Sequence, residues 1–77
     1  MPVHSMNLVS NGKESIGKII QTRRKSRKIV QVQLADIAGI SLRTLRDIEK
    51  GIANPELDTL MRICKVLGME IRLDVIK

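Results

Sequence analysis

A chain of 77 residues with one cysteine, Cys64, and one histidine, His4, forms one small domain and has neither an intrachain disulfide nor a structural zinc site. It contains no Phe, Trp or Tyr, which removes the stacking platforms used by RNA-recognition and single-strand modules. The whole net charge of +6 lies in residues 13–28, where seven basic residues face only Glu14; from residue 29 onward seven basic and seven acidic residues cancel.

Further classes fall away on pattern. No apolar run reaches membrane-spanning length and no secretory leader is visible, so a cytoplasmic location is expected, in keeping with a lone cysteine. No His–carboxylate or Cys–His pair can be assembled from interior positions, so neither an enzyme nor a metal or cofactor site is expected. A charge run is most often a solvated helix face, and the alternative, a footprint for a polyanion, depends on the elements around it.

Residues 1–11 read as a flexible tail, with a short strand suggested by Val3, Met6 and Leu8. Asn11 and Glu14 resemble a capping box, and Ile16, Ile19 and Ile20 then mark one face of a helix running to about Arg27. Arg24 continues that face, and a charge on an apolar stripe requires a buried partner.

A second helix is expected from Gln31 to Ala38, with Leu34, Ile37 and Ala38 inward, ended by Gly39. Ser41 caps a third helix, Leu42 to Lys50, which stops at Gly51. Two short helices joined by a Gly-containing turn form the helix-turn-helix signature. On the third helix Leu42, Leu45, Ile48 and Glu49 share one side, and Arg43, Arg46, Asp47 and Lys50 the other. Glu49 is therefore the expected interior partner of Arg24.

Asn54-Pro55-Glu56 predicts the start of a fourth helix, carrying Leu57, Leu60, Met61, Cys64 and Leu67 inward and ending at Gly68. The period then changes to two: Met69, Ile71, Leu73 and Val75 alternate with Glu70, Arg72 and Asp74. A lone strand leaves its backbone groups unpaired. Its expected partner is the same strand of a second copy, antiparallel about a two-fold axis; the alternative is a hairpin-like pairing with the N-terminal segment. A chain this small buries only about 60% of its unfolded surface, which favours the homodimer.

Gln31, Leu34-Ala35, Gly39-Ile40-Ser41, Leu45, Ile48-Glu49, Gly51 and Asn54-Pro55 followed by Leu57 and Leu60 resemble the Cro/repressor-type (XRE-like) helix-turn-helix family over about residues 16–68. The resemblance implies a mainly α, four-helix, lambda-repressor-like domain over 12–68, with residues 69–77 as a dimerisation strand. It also implies an interior ion pair at Arg24 and Glu49. Four helices followed directly by a strand resemble the HipB-like antitoxin regulators, which implies repression of the chain's own operon and a HipA-like kinase toxin as partner. Three positions depart from the family pattern. Lys28 stands where members often carry Gly, and Val30 where they carry a capping Thr. Leu42 is apolar where many members place a polar reader.

The reading helix of such a motif enters the major groove N-terminus first. Arg43 is the leading base reader because its fork matches guanine O6 and N7. Arg46, Ser41, Asp47 and Leu42 are further candidates for base contacts. Phosphate contacts are expected at Gln31, beside the positive end of the second helix, at Thr44, Lys50 and Asn54 around the reading helix, and at Arg23, Arg27 and Lys28. A two-fold dimer requires an inverted-repeat operator with half-sites about 34 Å apart or a multiple of that. The expected function is a sequence-specific duplex-DNA repressor acting as an autoregulatory antitoxin. The alternatives are an antitoxin whose main role is toxin inhibition, and a phage or mobile-element regulator without a toxin. No small-molecule ligand is expected.

Overall fold

The computed structural model describes residues 4–5, 12–73 and 75. In chain order the elements are β1 (His4–Ser5), α1 (Gly12–Ser26), α2 (Gln31–Ala38), α3 (Leu42–Glu49), α4 (Leu57–Leu67) and β2 (Met69–Glu70). α1 and α2 each pack against both α3 and α4, so the first two helices join the last two. Ile20, Leu34, Leu45, Ile48, Ile63 and Leu67 fill the centre, with less than 2% of each side chain's surface exposed.

All four helices close in the same way. Lys28, Gly39, Gly51 and Gly68 take φ values of 56°, 71°, 74° and 67°. After α1, α2 and α3 the left-handed residue and the next one donate back into the last turn: Lys28 to Lys25 and Ile29 to Arg24, Gly39 to Asp36 and Ile40 to Ala35, Gly51 to Ile48 and Ile52 to Asp47. These are Schellman caps, which satisfy the last carbonyls of each helix and turn the chain sharply. Glycine fits them without strain; Lys28 carries a Cβ into a conformation that costs about 1 kcal/mol.

The N-terminal ends differ more. The Ser41 hydroxyl accepts from the Thr44 amide at 3.0 Å and donates to the Thr44 hydroxyl at 2.7 Å. Val30 has the extended geometry of a cap, φ −84° and ψ 159°, but no side-chain acceptor. Gln33 reaches back to accept from the Val30 amide at 3.1 Å.

Three expectations about the core are corrected. Ile37 is 65% exposed, and Ala35 is buried with Leu34 and Ala38 instead. Leu57 and Met61 are 62% and 57% exposed, and Ile63 takes their place beside Leu60, Cys64 and Leu67. Each misplaced residue lies about 70–110° around its helix from the centre of the buried stripe. α4 also begins later than Asn54-Pro55-Glu56 suggests. Glu56 is its N-cap, still extended at φ −68° and ψ 152°, and the Leu60 amide donates to the Glu56 carbonyl.

The strand expected over 69–76 is two residues long, and its partner lies within the chain. β1 pairs with β2 in parallel, His4 opposite Met69 and Ser5 opposite Glu70. Residues read as tail thus satisfy the backbone of β2 from one side, in parallel rather than hairpin orientation. Of the proposed dimer strand, Met69 is buried in its own chain's core and Ile71 is half-buried, but Leu73 and Val75 are 93% and 86% exposed. Residues 1–3, 6–11, 74, 76 and 77, on which part of the tail and strand expectations fall, lie outside the described residues.

Candidate nucleic-acid interface

Arg24 and Glu49 meet in the interior through two parallel bonds. Arg24 Nε donates to Glu49 Oε2 at 2.7 Å and Nη2 to Oε1 at 2.9 Å. Arg24 Nη1 donates to the Ile29 carbonyl at 2.9 Å, and Gln31 Nε2 to Glu49 Oε1 at 3.1 Å. A buried pair survives desolvation only when its remaining donors and acceptors are used, and no buried side-chain nitrogen or oxygen among the described residues lacks a partner. The network ties the end of α1, the start of α2 and the last turn of α3 into one unit.

That unit presents α3 edge-on. Leu45, Ile48 and Glu49 face inward and Leu42 is half-buried at the margin, while Arg43, Arg46 and Lys50 stand on the exposed side. Neither Arg43 nor Arg46 is held by an ion pair or side-chain hydrogen bond to another described residue, so both guanidinium forks are open to a ligand. Asp47 is half-buried beside the α3–α4 connection, whose Ile52 and Ala53 amides both donate to its carbonyl. Ser41 commits its hydroxyl to the helix cap, and Thr44, the other half of that bond, is exposed.

The expected phosphate residues divide into two groups. Lys28, Lys50 and Asn54 are exposed on connections that flank α2 and α3. The Gln31 amide group is engaged by Glu49, but no side chain caps the first-turn amides of α2, which remain available at the positive end of that helix. Arg23 and Arg27 are elsewhere. Arg23 Nε donates to the Leu67 carbonyl at 2.8 Å, at the C-terminal end of α4. Arg27 Nη1 reaches the same turn, 3.5 Å from the position of a Cβ on Gly68. The carbonyls ending a helix attract cations, so Arg23 ties α1 to the end of α4, while Arg27 is exposed beside the same turn with no side-chain hydrogen bond to another described residue. Gly17, which the sequence reading passed over, also shapes the interface: α1 meets the end of α3 there, with the Ile48 and Glu49 carbonyls directly over its Cα. A glycine among Ile16, Ile19 and Ile20 was its only signal.

Among the described residues there is no cluster of metal-binding side chains, and no helix is long and apolar enough to cross a membrane. Burial raises the Cys64 thiol above its ordinary pKa, which makes it a poor nucleophile.

The helix-turn-helix family HTH_3 matches residues 20–73. The immunity repressor protein of Bacillus phage phi105 is 42% identical over 57 residues, covering 74% of this chain and 40% of that protein. The chain thus spans less than half the length of that relative. An uncharacterised HTH-type transcriptional regulator of Sinorhizobium fredii, y4mF, is 30% identical over 56 residues, 73% of this chain and 74% of that one. In fold, the chain is similar to the clp gene regulator ClgR of Corynebacterium glutamicum, with a TM-score of 0.73 at 21% identity over 82% of this chain and 66% of that one. Sequence and architecture agree: the chain belongs to the XRE-type helix-turn-helix family of DNA-binding transcriptional regulators.

Proposed function

We propose that the chain is a sequence-specific repressor that binds duplex DNA as a two-fold dimer, with α3 in the major groove. The observation that carries this reading is the open face of Arg43 and Arg46, with Lys50 at the C-cap, on a helix whose other side is buried. Arg43 reads guanine, and Arg46, one turn on, reads a second base or grips phosphate. Ser41, Leu42 and Asp47 are secondary base contacts. Lys28, Gln31 through its backbone, Thr44, Lys50 and Asn54 hold phosphate.

The dimer has its own support. Leu57, Met61, Ile71 and Leu73 line an open apolar groove of about 600 Å³ along α4 and the segment after β2. Exposed Val75 extends the same segment, and large exposed apolar patches on a small domain mark contact surfaces. A second copy presenting the same patch covers both, which makes the operator an inverted repeat.

The similarity to a phage immunity repressor supports a regulator of phage or mobile-element type. The antitoxin reading, with a HipA-like kinase toxin as partner, has one support, the strand that follows α4 directly. Co-purification with a kinase encoded beside the chain's gene separates the two.

The repressor reading is tested on a duplex from the chain's own promoter and on random duplex, at two salt concentrations. The expected result is a specific affinity at least about 10³-fold tighter, with both affinities falling steeply with salt. Equal affinity for the two duplexes overturns it.

A further inference from the structure

We infer that Arg23 is a positioning residue, which fixes the dimer surface relative to the reading helix and thereby sets the half-site spacing the protein accepts. The inference rests on the dimer reading above and adds to it the device that holds the two half-sites in register.

Arg23 and Arg24 are neighbours on α1, pointing about 100° apart. Arg24 takes hold of Glu49, in the last turn of α3. Arg23 takes hold of the Leu67 carbonyl, in the last turn of α4, at 2.8 Å. Two consecutive side chains therefore grip the ends of the two helices with opposite duties, one facing DNA and one carrying the apolar groove. α1 packs against both helices, so their relative angle is carried through it and through α2.

The grip on α4 sits at the turn that leads to the dimer surface. Arg23 is half-buried, and its Nη2 also lies 3.4 Å from the position of a Cβ on Gly68. Gly68 turns the chain at φ 67° into Met69, and the groove-lining residues Ile71 and Leu73 follow within five positions. A rotation of the last turn of α4 therefore swings the dimer surface directly. On DNA, one base pair of extra spacing moves a half-site by about 3.4 Å and turns it by about 35°. A dimer rejects that displacement only if the path from one reading helix to the other is stiff.

The test uses the full chain and an inverted-repeat duplex recovered by selection from random sequence, with versions one base pair longer and shorter between half-sites. Wild-type protein is expected to be a dimer that discriminates among the three spacings. Arg23→Met is expected to remain a dimer with the same half-site sequence preference, while its discrimination between spacings falls by about tenfold, a shift of about 1.4 kcal/mol. Its salt slope is expected to stay at the wild-type value, whereas loss of a phosphate contact lowers the slope by about 0.9. Arg23→Lys keeps the cation and one donor, restores part of the discrimination, and serves as the variant if Arg23→Met does not fold. Unchanged spacing discrimination in whichever folded variant is measured overturns the inference, as does a lowered salt slope. A wild-type monomer on its operator overturns the dimer reading itself, and is seen before any variant is made.

Discussion

Arg24 and Glu49, 25 positions apart in sequence, face each other as a buried, two-pronged ion pair. Removing one partner leaves the other charge buried and unpaired. Arg24→Met or Glu49→Leu alone is expected to cost about 3–5 kcal/mol in denaturant unfolding, while the double variant costs less than the sum of the two. Strict additivity would mean that the pair adds nothing beyond its separate packing.

Gly17 makes the α1–α3 approach possible. A Cβ there collides with the Ile48 carbonyl oxygen and stands 2.9 Å from that of Glu49, both backbone atoms that a side-chain rotation does not relieve. Gly17→Ala improves helix propensity, yet it is expected to destabilise by about 1–3 kcal/mol through overpacking. A raised melting temperature would contradict the close approach.

Lys28 carries two effects of opposite sign. At φ 56° it occupies a left-handed cap that the other three helices give to glycine. Lys28→Gly is expected to stabilise the fold by about 1 kcal/mol. If the ammonium also grips phosphate, the same variant weakens binding to every duplex and lowers the salt slope by about 0.9. Thermal unfolding and salt titration of one variant read both.

Arg43 and Lys50 are exposed at opposite ends of α3 and are expected to fail differently. Arg43→Ala relaxes preference at one base position by about 1–3 kcal/mol, and Lys50→Ala weakens all sequences alike. Binding to a panel of single-base operator variants distinguishes the two patterns.

Cys64 gives a pH dependence with a definite sign. Burial raises its pKa above the ordinary thiol value in the folded chain. Well below the ordinary thiol pKa the group is neutral both folded and unfolded; as pH rises through that range the unfolded chain ionises first, so stability is lost toward the folded value. Between pH of about 8 and 10 the wild type is expected to lose stability more steeply than Cys64→Ala, measured by denaturant midpoint.

The parts of the site that the sequence makes legible are those where one residue's placement is decided by periodicity alone. Leu45, Ile48 and Glu49 define a single inward stripe on a short helix, so Arg43, Arg46 and Lys50 must face out, and a charge on each of two stripes points to the Arg24–Glu49 pair. α4 is harder because apolar residues occupy most of its circumference. Leu57 and Met61 fit a stripe as well as Ile63 does, and only the neighbouring helices choose between them. Arg23 is illegible for a related reason. It sits in a run of cations, and its bond is to a backbone carbonyl 44 positions away, which leaves no mark in side-chain pattern. The alternation after Gly68 marks a strand and leaves two partners open, and nothing in a side-chain pattern chooses between them or sets the parallel direction of the β1–β2 pairing.

That small parallel pairing has a kinetic consequence. His4 opposite Met69 closes a loop around nearly all of the described sequence. The contacts among α1, α2 and α3 close far shorter loops, and the entropy of closure grows with length. The helical body therefore assembles before the clasp does. In the folded chain the clasp is the first region to open, so the amides of β1 and β2 exchange with solvent through local release while those of α1 and α3 wait for global unfolding. A second copy docked on the segment after β2 binds the closed clasp, so dimerisation is expected to slow exchange at the β1 and β2 amides.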